Sequence, residues 1–348
     1  MPCLCPVSVR SQEVSRMRRY SFPRRRRRGS AAIALVAAAV LAGTAGCGLL
    51  GGSEPARGPG GRDPVVVAEM PLMDVAPLHL GLDRGFFADA GVTVTTATAA
   101  SGQGAIAKLV SDEVAIAYAS DVAAVLAAAG KAGDFAIIAE ASSAPPKTLE
   151  LVVPKNSPIK SVNDLPGKRI AINAKHGLSD TLVMAALTAR GVKVGYDDIQ
   201  WAEMPFPSMA GALRRGDVDA ASTVEPFVTE AAKDGAEEVL DLASGDTKDF
   251  PVSCYLAKKS WVRSHPAEVA AFRAGLRRAV DLARNDPGTV RAVVAGYAKI
   301  KPDDAQLVKL PDFRADIAPV ALQRVPDLLK SYGVIDKRFD ITTLILNP

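Results

Sequence analysis

The amino-acid sequence predicts an α/β protein of two similar lobes. From Val65 onward, short β-branched runs alternate with amphipathic helical segments, a pattern typical of largely parallel sheets. The same order occurs twice, since Val65 to Val114 and Arg169 to Val218 each span 49 positions. The chain has 348 residues, of which 48% are hydrophobic and 23% charged, so each lobe can bury its own core.

The elements of the first unit follow from residue spacing and from glycine positions. Runs rich in β-branched residues predict strands at 65–70, 92–99 and 114–120. Apolar residues at helical spacing predict helices at 76–91, 101–110 and 121–131. Ser101 is the predicted cap of the second helix, while Gly91 and Gly130 mark the ends of the first and third.

The second unit repeats this order. Its predicted strands lie at 168–174, 199–204 and 218–224, and its predicted helices at 178–191, 207–216 and 225–235. An offset of 104 residues places Val218 on Val114 and Glu225 on Asp121. The chain continues with a strand-like run at 251–257 and helical patterns at 266–286, 287–298 and 318–333, which we expect to pack back on the first lobe.

Residues 1–46 have the composition of an export signal. They hold nine arginines and one acid, and because the whole chain has a net charge of +4, the remainder is mildly acidic at −4. An arginine-rich segment at 18–29 precedes an apolar segment at 30–46 that is short for a membrane span. The general secretory and twin-arginine routes both fit this leader, and either Met1 or Met17 fits as its start.

Cys47 follows the small residues that end the apolar segment, and a Gly/Pro/Ser-rich stretch comes after it. This arrangement predicts a bacterial lipobox in which the Cys47 thiol is acylated and anchors the chain to the outer face of the cytoplasmic membrane. An ordinary secretory signal with a chance cysteine, or an uncleaved anchor, is the alternative. The predicted segments are a lipoprotein signal peptide at 1–46, a flexible tether at 47–64, the first part of lobe 1 at 65–153, lobe 2 at 154–248, and the return to lobe 1 with its C-terminal helices at 249–348.

Several classes of function are disfavoured by what the sequence lacks. The basic charge belongs to the leader, and no basic patch with interleaved aromatic residues follows it, so we expect no nucleic-acid partner. Three scattered histidines and the lack of a Cys/His cluster predict no metal site, and we expect no cofactor. No nucleophile elbow or other catalytic set is present, which disfavours an enzyme. Cys254 has no partner if Cys47 is lipidated, so a buried free thiol is expected.

Polar and small residues follow the predicted strands, where parallel sheets collect ligands beside helix N-termini. The candidate ligand contacts of the first lobe are Met73, Asp74, Ser101, Gly102, Gln103, Ser120, Asp121 and Ser142. Those of the second lobe are Lys175, His176, Ser179, Thr181, Phe206 and Glu225. Helix capping is the alternative role for Asp74, Ser101 and Ser179. Solvent exposure is the alternative for Lys175, and a structural role is the alternative for His176.

Glu225 stands directly before Pro226 at the end of an apolar run. Proline suits the first position of a helix, where its missing N–H costs nothing, and a carboxylate there gains from the helix dipole. Two roles stay open for Glu225: one purely at the helix terminus, and one in which the side chain also reaches the ligand.

Three stretches in order resemble the solute-binding proteins of ABC importers, in the NMT1/THI5-like group that handles aliphatic sulfonates, taurine, nitrate and pyrimidine precursors. The stretches are APLHLGLDRGFFADAGVTV, SPIKSVNDLPGKRIAI and ALRRGDVDAASTVEPFVTEAAKDGA, and the resemblance covers about residues 65–238. It implies a periplasmic-binding-protein-like fold of type II, in which two lobes close over the ligand. It also implies a ligand-binding turn at 175–181 and a membrane permease as partner; we expect the protein to be a monomer.

The leading hypothesis is therefore an extracytoplasmic lipoprotein that delivers a small polar solute to an ABC importer. An enzyme on the same fold, similar to a pyrimidine-precursor synthase or a menaquinone-pathway dehydratase, is the alternative, and a sensor lipoprotein is a third. Four acids lie on candidate cleft turns: Asp74, Asp121, Asp180 and Glu225. If several face the ligand, their field favours an amine, a zwitterion or a heterocycle over a bare anion. A nitrogen-containing solute such as taurine or a pyrimidine is the expectation, with an alkanesulfonate close behind.

Overall fold

The computed structural model describes residues 63–346. The predicted signal, the lipidation site Cys47 and all of the tether up to residue 62 lie outside the described residues. Within the described range the strands form two sheets, one of six strands and one of five. This arrangement confirms the predicted α/β class.

The first sheet has the strand order β11-β4-β10-β3-β1-β2. Its strands are β1 (Val65–Glu69), β2 (Val94–Thr98), β3 (Ile116–Ser120), β4 (Phe135–Ala144), β10 (Phe250–Lys258) and β11 (Asp312–Phe313). Strand β1 lies parallel to β2 and β3, whereas β10 runs antiparallel to β3 and β4. The long strands β4 and β10 are buried along nearly their whole length, so they form the centre of the core.

Helices cover both faces of this sheet, and the sheet with its helices is called the first lobe. They are α1 (Ala76–Asp83), α2 (Phe86–Asp89), α3 (Gly102–Val110), α4 (Asp121–Ala129), α8 (Lys259–Ser264), α9 (Pro266–Asn285), α10 (Pro287–Tyr297), α11 (Pro302–Leu307) and α12 (Pro319–Ser331). Helix α9 packs on α1 and α2, while α12 packs on α4 and β10. The C-terminal helices therefore return to the first lobe, as the sequence predicts.

The second sheet has the order β7-β6-β8-β5-β9 and, with its helices, forms the second lobe. Its strands are β5 (Leu149–Val153), β6 (Arg169–Ile172), β7 (Gln200–Glu203), β8 (Ala220–Val224) and β9 (Glu237–Asp241). Its helices are α5 (Leu178–Ala189), α6 (Phe206–Arg215) and α7 (Phe227–Lys233). The chain crosses between the sheets twice, after β4 and after β9.

The strand order supports the predicted repeat. In both sheets the first strand of the unit lies between the second and the third, as β2-β1-β3 and as β7-β6-β8. An antiparallel strand follows in each case, β10 beside β3 and β5 beside β8. Because the parallel strands of each unit end at the same edge, the turns after them collect there.

Phe87 explains why the Gly-Phe-Phe stretch follows the first helix. Its ring is 2% exposed and stacks on Phe272 of α9 with ring centroids 5.4 Å apart. A Cβ atom on Gly275 would lie 2.5 Å from the Phe87 ring, and one on Gly81 would lie 2.6 Å from it. Glycine on both helices therefore lets α1 and α9 close around this ring.

Three sequence predictions differ from the structure. The predicted helix at 76–91 is two helices, because Gly85 adopts a left-handed conformation between α1 and α2. Residues 149–153, assigned from the sequence to the first part of lobe 1, form β5 and pair with β8 and β9 of the second sheet. Ser142, expected to follow a strand, lies inside β4, which runs on to Ala144.

Within residues 63–346, none of the helices combines the length and the apolar character that a membrane span requires.

Candidate functional site

A cavity lies where the two sheets meet, at the ends of β1, β3, β6 and β8. The residues that line it are Met70, Leu72, Asp74, Gly102, Gln103, Tyr118, Ser120, Asn173, Ala174, Gly177, Leu178, Ser179, Phe206, Val224 and Val252. Its volume of about 40 Å³ has room for only a few water molecules. The cleft between the lobes is therefore nearly closed.

Asp74 forms the acidic part of the first-lobe wall. It lies in a short 3-10 helix directly before α1, and the residue is 8% exposed. Ser142 Oγ donates a hydrogen bond to Asp74 Oδ1, and Ser253 Oγ lies 3.4 Å from the same oxygen. Burial raises the pKa of Asp74, and the hydrogen bond from Ser142 opposes that rise.

The N-terminal turn of α3 forms the next part of this wall. Ser101 caps the helix, because its Oγ accepts a hydrogen bond of 3.1 Å from Gly104 N. Gly102 packs closely on the neighbouring turn, since a Cβ atom there would lie 3.4 Å from Ser120 N. Ser120 caps α4 in the same way, accepting a hydrogen bond of 3.1 Å from Ala123 N. Capping and lining of the cavity thus coexist at Ser120.

The turn between β6 and α5 forms the second-lobe wall. The buried Asp180 carboxylate accepts hydrogen bonds from the backbone N–H groups of Gly177 at 2.8 Å, Thr181 at 2.9 Å and His176. Tyr196 Oη donates a further hydrogen bond to it. These bonds fix the turn, so that Gly177 and Ser179 face the cavity from a rigid backbone.

Hydrogen bonds join the two walls. Gln103 Nε2 lies 3.4 Å from the carbonyl oxygens of both Lys175 and His176, and Asn173 Nδ2 donates to Ala100 O at 3.1 Å. Deeper in the cleft, Met73 N lies 3.4 Å from Glu225 O. Each of these contacts connects a turn of one sheet to a turn of the other, so each depends on closure of the lobes.

A match to one protein family establishes the family of this chain. The model of the family described as "NMT1/THI5 like" matches residues 73–290, which is more than half of the chain and includes most of the residues that line the cavity. The chain belongs to the NMT1/THI5-like family.

One named relative and two solved structures are similar to this NMT1/THI5-like chain. A protein of Escherichia coli (strain K12) named "Putative aliphatic sulfonates-binding protein" is 27% identical over an alignment of 214 residues that covers 58% of this chain and 64% of the relative, so the chain spans just under two thirds of that relative's length. The alkanesulfonate-binding protein SsuA from Xanthomonas axonopodis pv. citri bound to MOPS has a TM-score of 0.70 at 19% identity, covering 84% of this chain and all of that one. The desulfurization enzyme DSZB has a TM-score of 0.60 at 18% identity over 82% of this chain and 96% of its own. Both of these solved structures share the fold of this chain.

Six of the candidate contacts in this family member line the cavity: Asp74, Gly102, Gln103, Ser120, Ser179 and Phe206. Phe206 supplies the apolar wall, with its ring stacked against Phe227 at a centroid distance of 6.2 Å. These residues share one position in the fold, since each follows a strand or begins a helix.

Asp121 differs from the prediction, because its carboxylate lies in the interior of the first lobe and away from the cavity. It is 1% exposed, and neither oxygen accepts a hydrogen bond from a nitrogen or oxygen donor among the described residues. The Cys254 thiol and the Glu140 carboxylate are its neighbours. Burial, with the charge of Glu140 adding to it, raises the pKa of Asp121 to about 8.

Glu225 has the role of a helix-terminal carboxylate. Its oxygens accept hydrogen bonds from Thr229 N at 3.1 Å and from Thr229 Oγ1 at 2.9 Å, at the start of α7. The backbone N–H of Lys309, on the first-lobe side, donates a third at 3.1 Å. The helix begins at Phe227, two residues after the start of the predicted range 225–235, and the Glu225–Pro226 peptide bond is cis. Glu225 therefore joins the lobes beside the cavity without lining it.

The other predicted contacts lie behind or outside the cavity. Ser142 is fully buried behind Asp74, Ser101 caps α3, and Thr181 packs inside the second lobe. Met73 lies beside Glu225 around a second, smaller cavity of about 20 Å³.

Lys175 and His176 face outward and line a groove of about 720 Å³ between α3 and α4. The Lys175 ammonium pairs with Glu203 at 4.0 Å, and the His176 ring stacks on Tyr196.

Several lining residues lack a sequence signal that separates them from the core. Tyr118 lies inside β3, while Val224 and Val252 are apolar residues of strands. Asn173 is different, because it directly follows β6 and the rule that selected Ser120 also selects it. No group of three or more His, Cys, Asp or Glu side chains within residues 63–346 is placed to hold a metal ion.

Proposed function

We propose that this chain is the solute-binding component of an ABC importer and captures a small polar solute between its two lobes. The observation that carries the proposal is the cavity itself, which is lined by Asp74, Gln103, Asn173 and Ser179 and bridged by Gln103 and Asn173. Polar groups that converge from two lobes around an otherwise apolar cavity are typical of solute sites. The sulfonate-binding relatives support the same role.

Closure of the lobes accounts for capture and release. A cavity of about 40 Å³ is too small for a solute such as taurine, so the lobes must separate to admit it. A solute that contacts both walls binds the closed form better than the open form and shifts the population towards it. The closed form is then the one that a permease recognises.

We further propose that the protein acts outside the cytoplasmic membrane, as a monomer anchored through lipid on Cys47. The leader and the small residues before Cys47 support this location. Mass spectrometry of the N-terminal peptide should find Cys47 acylated, and Cys47→Ser should release the protein from the membrane fraction. Retention of Cys47→Ser in that fraction contradicts the anchor and leaves the binding function untouched.

We propose a lobe division that follows the sheets, with residues 63–144 and 250–346 in the first lobe and residues 149–241 in the second. Strand pairing supports these limits, because β5 and β9 both bond within the second sheet. The segments 145–148 and 242–249 are then the hinge.

Binding is favoured over catalysis. The residues that line the cavity include no Cys, His or Lys side chain, and the free thiol of Cys254 is buried in the first lobe. A nucleophile with an adjacent base, as covalent catalysis requires, is not found among these lining residues. The named sulfonate relative is a binding protein, and the similarity to DSZB is one of fold.

The test is thermal unfolding of the purified full-length protein with sulfonates, taurine, nitrate, pyrimidines and riboflavin-like compounds. A solute at a hundred times its Kd adds about 2.7 kcal/mol to the free energy of unfolding, which raises the Tm by roughly 5–10 °C. Asn173→Ala should abolish the shift, whereas Asn163→Ala, on the exposed surface of the same lobe, should keep it. The absence of a shift with every compound and with a cell extract contradicts the proposal.

A further inference from the structure

We propose that Asp74 makes the cleft selective for solutes that carry a protonated nitrogen. This inference rests on the proposed binding function and names the chemical class of the solute. It separates this chain from a receptor for simple alkanesulfonates, because the same carboxylate that attracts an ammonium group repels a bare anion.

The wall of the cavity carries one acidic side chain and no basic side chain. Asp74 is the one ionisable acid or base among the lining residues apart from the phenol of Tyr118. The remaining polar groups are the amides of Gln103 and Asn173 and the hydroxyls of Ser120 and Ser179. A bare anion in this cavity therefore meets a carboxylate and no side-chain cation, which is unfavourable in a site that excludes water.

Three basic side chains, Lys175, Lys309 and His79, have partners outside the cavity. Lys175 Nζ lies 4.0 Å from Glu203 Oε1, and Lys309 Nζ lies 3.5 Å from Glu150 Oε1. His79 stacks on Tyr297 with ring centroids 3.9 Å apart, and its Nε2 lies 3.6 Å from Glu69. None of these three side chains lines the cavity, so none neutralises Asp74 there.

Two serine side chains hold the buried Asp74 carboxylate in place. The residue is more than nine-tenths buried, and both serine contacts are made to a single oxygen, Oδ1. Ser142 and Ser253 are themselves joined by an Oγ–Oγ hydrogen bond of 2.8 Å, which fixes their orientation. Hydrogen bonds from these serines and from the backbone N–H of Asp74 itself favour the ionised carboxylate and oppose the rise in its pKa that burial causes. Neither serine contact involves Oδ2, so this oxygen can accept a hydrogen bond from a solute N–H⁺ group.

The aromatic residues of the wall suit the same class. Tyr118 and Phe206 both line the cavity that contains Asp74, and the face of an aromatic ring attracts a cation. The N-terminal turns of α3 and α5 form other parts of the wall at Gly102 and Leu178. Backbone N–H groups there accommodate an acidic group at the far end of the solute, so an amine and a zwitterion both fit.

The experiment compares matched probes by isothermal titration calorimetry of the full-length protein. One pair is ethanesulfonate and taurine, and the other is toluene-4-sulfonate and 4-(aminomethyl)benzenesulfonate. In each pair the second compound gains one amine that is protonated at neutral pH. We expect the amine member to bind at least about 30-fold more tightly, because a desolvated charge pair is lost in the other member.

Asp74→Asn keeps the size of the side chain and should remove this preference. Asp83→Asn removes the same charge from an exposed position on α1 and should keep the preference. Ser142→Ala retains the Asp74 carboxylate and should also keep it, with weaker binding. If Asp74→Asn does not fold, the two probe pairs still test the preference for an amine on the unchanged protein.

Equal or tighter binding of the amine-free member overturns the inference, as does an unchanged preference in Asp74→Asn. Failure of both amine probes to bind also overturns it. The proposed binding function survives these outcomes if another compound or a cell extract still raises the Tm. If nothing raises the Tm, the proposed function fails as well.

Discussion

The side-chain amide of Gln103, at the start of α3, lies 3.4 Å from the carbonyl oxygen of His176 on the opposite lobe. The same nitrogen lies 3.4 Å from Lys175 O, so one half-buried side chain bridges the cleft at two points. Gln103→Ala should speed solute dissociation by about 2- to 5-fold, because two long, exposed hydrogen bonds of the closed form are lost. Stopped-flow fluorescence measures this rate.

The matched control for Gln103 is Gln200→Ala. Gln200 Nε2 also donates to a backbone carbonyl, that of Gly167 at 3.2 Å, but within the second lobe. Its removal should leave the dissociation rate unchanged. A Gln103→Ala protein that releases solute at the original rate would show that this contact does not hold the lobes together.

Gly177 is the position at which one added methyl group opposes closure. A Cβ atom there would lie 3.0 Å from Ala174 O and 3.2 Å from Gln103 Nε2, on the face that meets the other lobe. Its φ of −114° permits alanine. Gly177→Ala should therefore weaken solute binding by about 3- to 10-fold with little change in the Tm of the solute-free protein. Calorimetry should give unchanged affinity for Gly296→Ala, where a Cβ atom meets nothing within 4 Å.

Asp180 tests whether the second-lobe turn must be rigid. Its buried carboxylate accepts hydrogen bonds from three backbone N–H groups and from the Tyr196 hydroxyl. Asp180→Ala should lower the free energy of unfolding by about 2–4 kcal/mol and weaken solute binding, since the backbone at Gly177 loses its anchor. Tyr196→Phe removes one of these bonds and should cost about 0.5–1.5 kcal/mol. A larger loss in Tyr196→Phe than in Asp180→Ala would contradict this ranking.

Asp121 makes stability depend on pH. Its pKa is raised to about 8 by burial and by Glu140, above the ordinary value of 3.8 that it has in the unfolded chain. Between these values the folded protein holds a proton that the unfolded chain has lost. Its contribution to stability is therefore complete below about pH 4 and is lost as the pH rises to about 8.

Asp121→Asn should remove this part of the pH dependence. The variant should gain stability relative to the unchanged protein as the pH rises from 5 to 8, by up to about 1.4 kcal/mol per pH unit. Urea unfolding at several pH values measures the difference. Asp83→Asn should show no such trend, because Asp83 is exposed. A difference that shrinks with rising pH would mean that Asp121 is ionised in the folded protein.

Glu225 should prove more important for stability than for recognition. Glu225→Ala removes the acceptor of three hydrogen bonds, two at the start of α7 and one from Lys309 N. We expect a loss of about 2–3 kcal/mol, which lowers the Tm by roughly 4–12 °C. Glu225→Gln keeps an acceptor oxygen and should lose less. An unchanged Tm together with abolished binding would instead make Glu225 a ligand contact.

Seven of the eleven described strands and most of the helices could be predicted, because alternating β-branched and helical patterns are local features of the sequence. The offset of 104 residues matches β3 with β8. The assignment of β5 failed because strand pairing is a long-range property. Leu149–Val153 is equally apolar in either sheet, and only its pairing with β8 and β9 places it in the second.

The position of the candidate cavity could be predicted from the sequence, but the direction of each side chain could not. The rule that ligand residues follow strands selected Asp74, Gln103 and Ser179, which line the cavity, but it treated all acids there alike. Asp121 and Glu225 occupy equivalent positions in the repeat, yet one carboxylate turns into the first-lobe core and the other bonds to Thr229 and Lys309. The direction of a side chain depends on its packing neighbours, which the sequence alone does not specify.

A crystal structure of the full-length protein with a solute that raises its Tm tests the central claim most directly. We predict that the solute lies between the lobes, with Asp74 or Gln103 on one side and Asn173 or Ser179 on the other. A solute bound instead in the groove between α3 and α4, with the cavity between the sheets unchanged, would contradict the account.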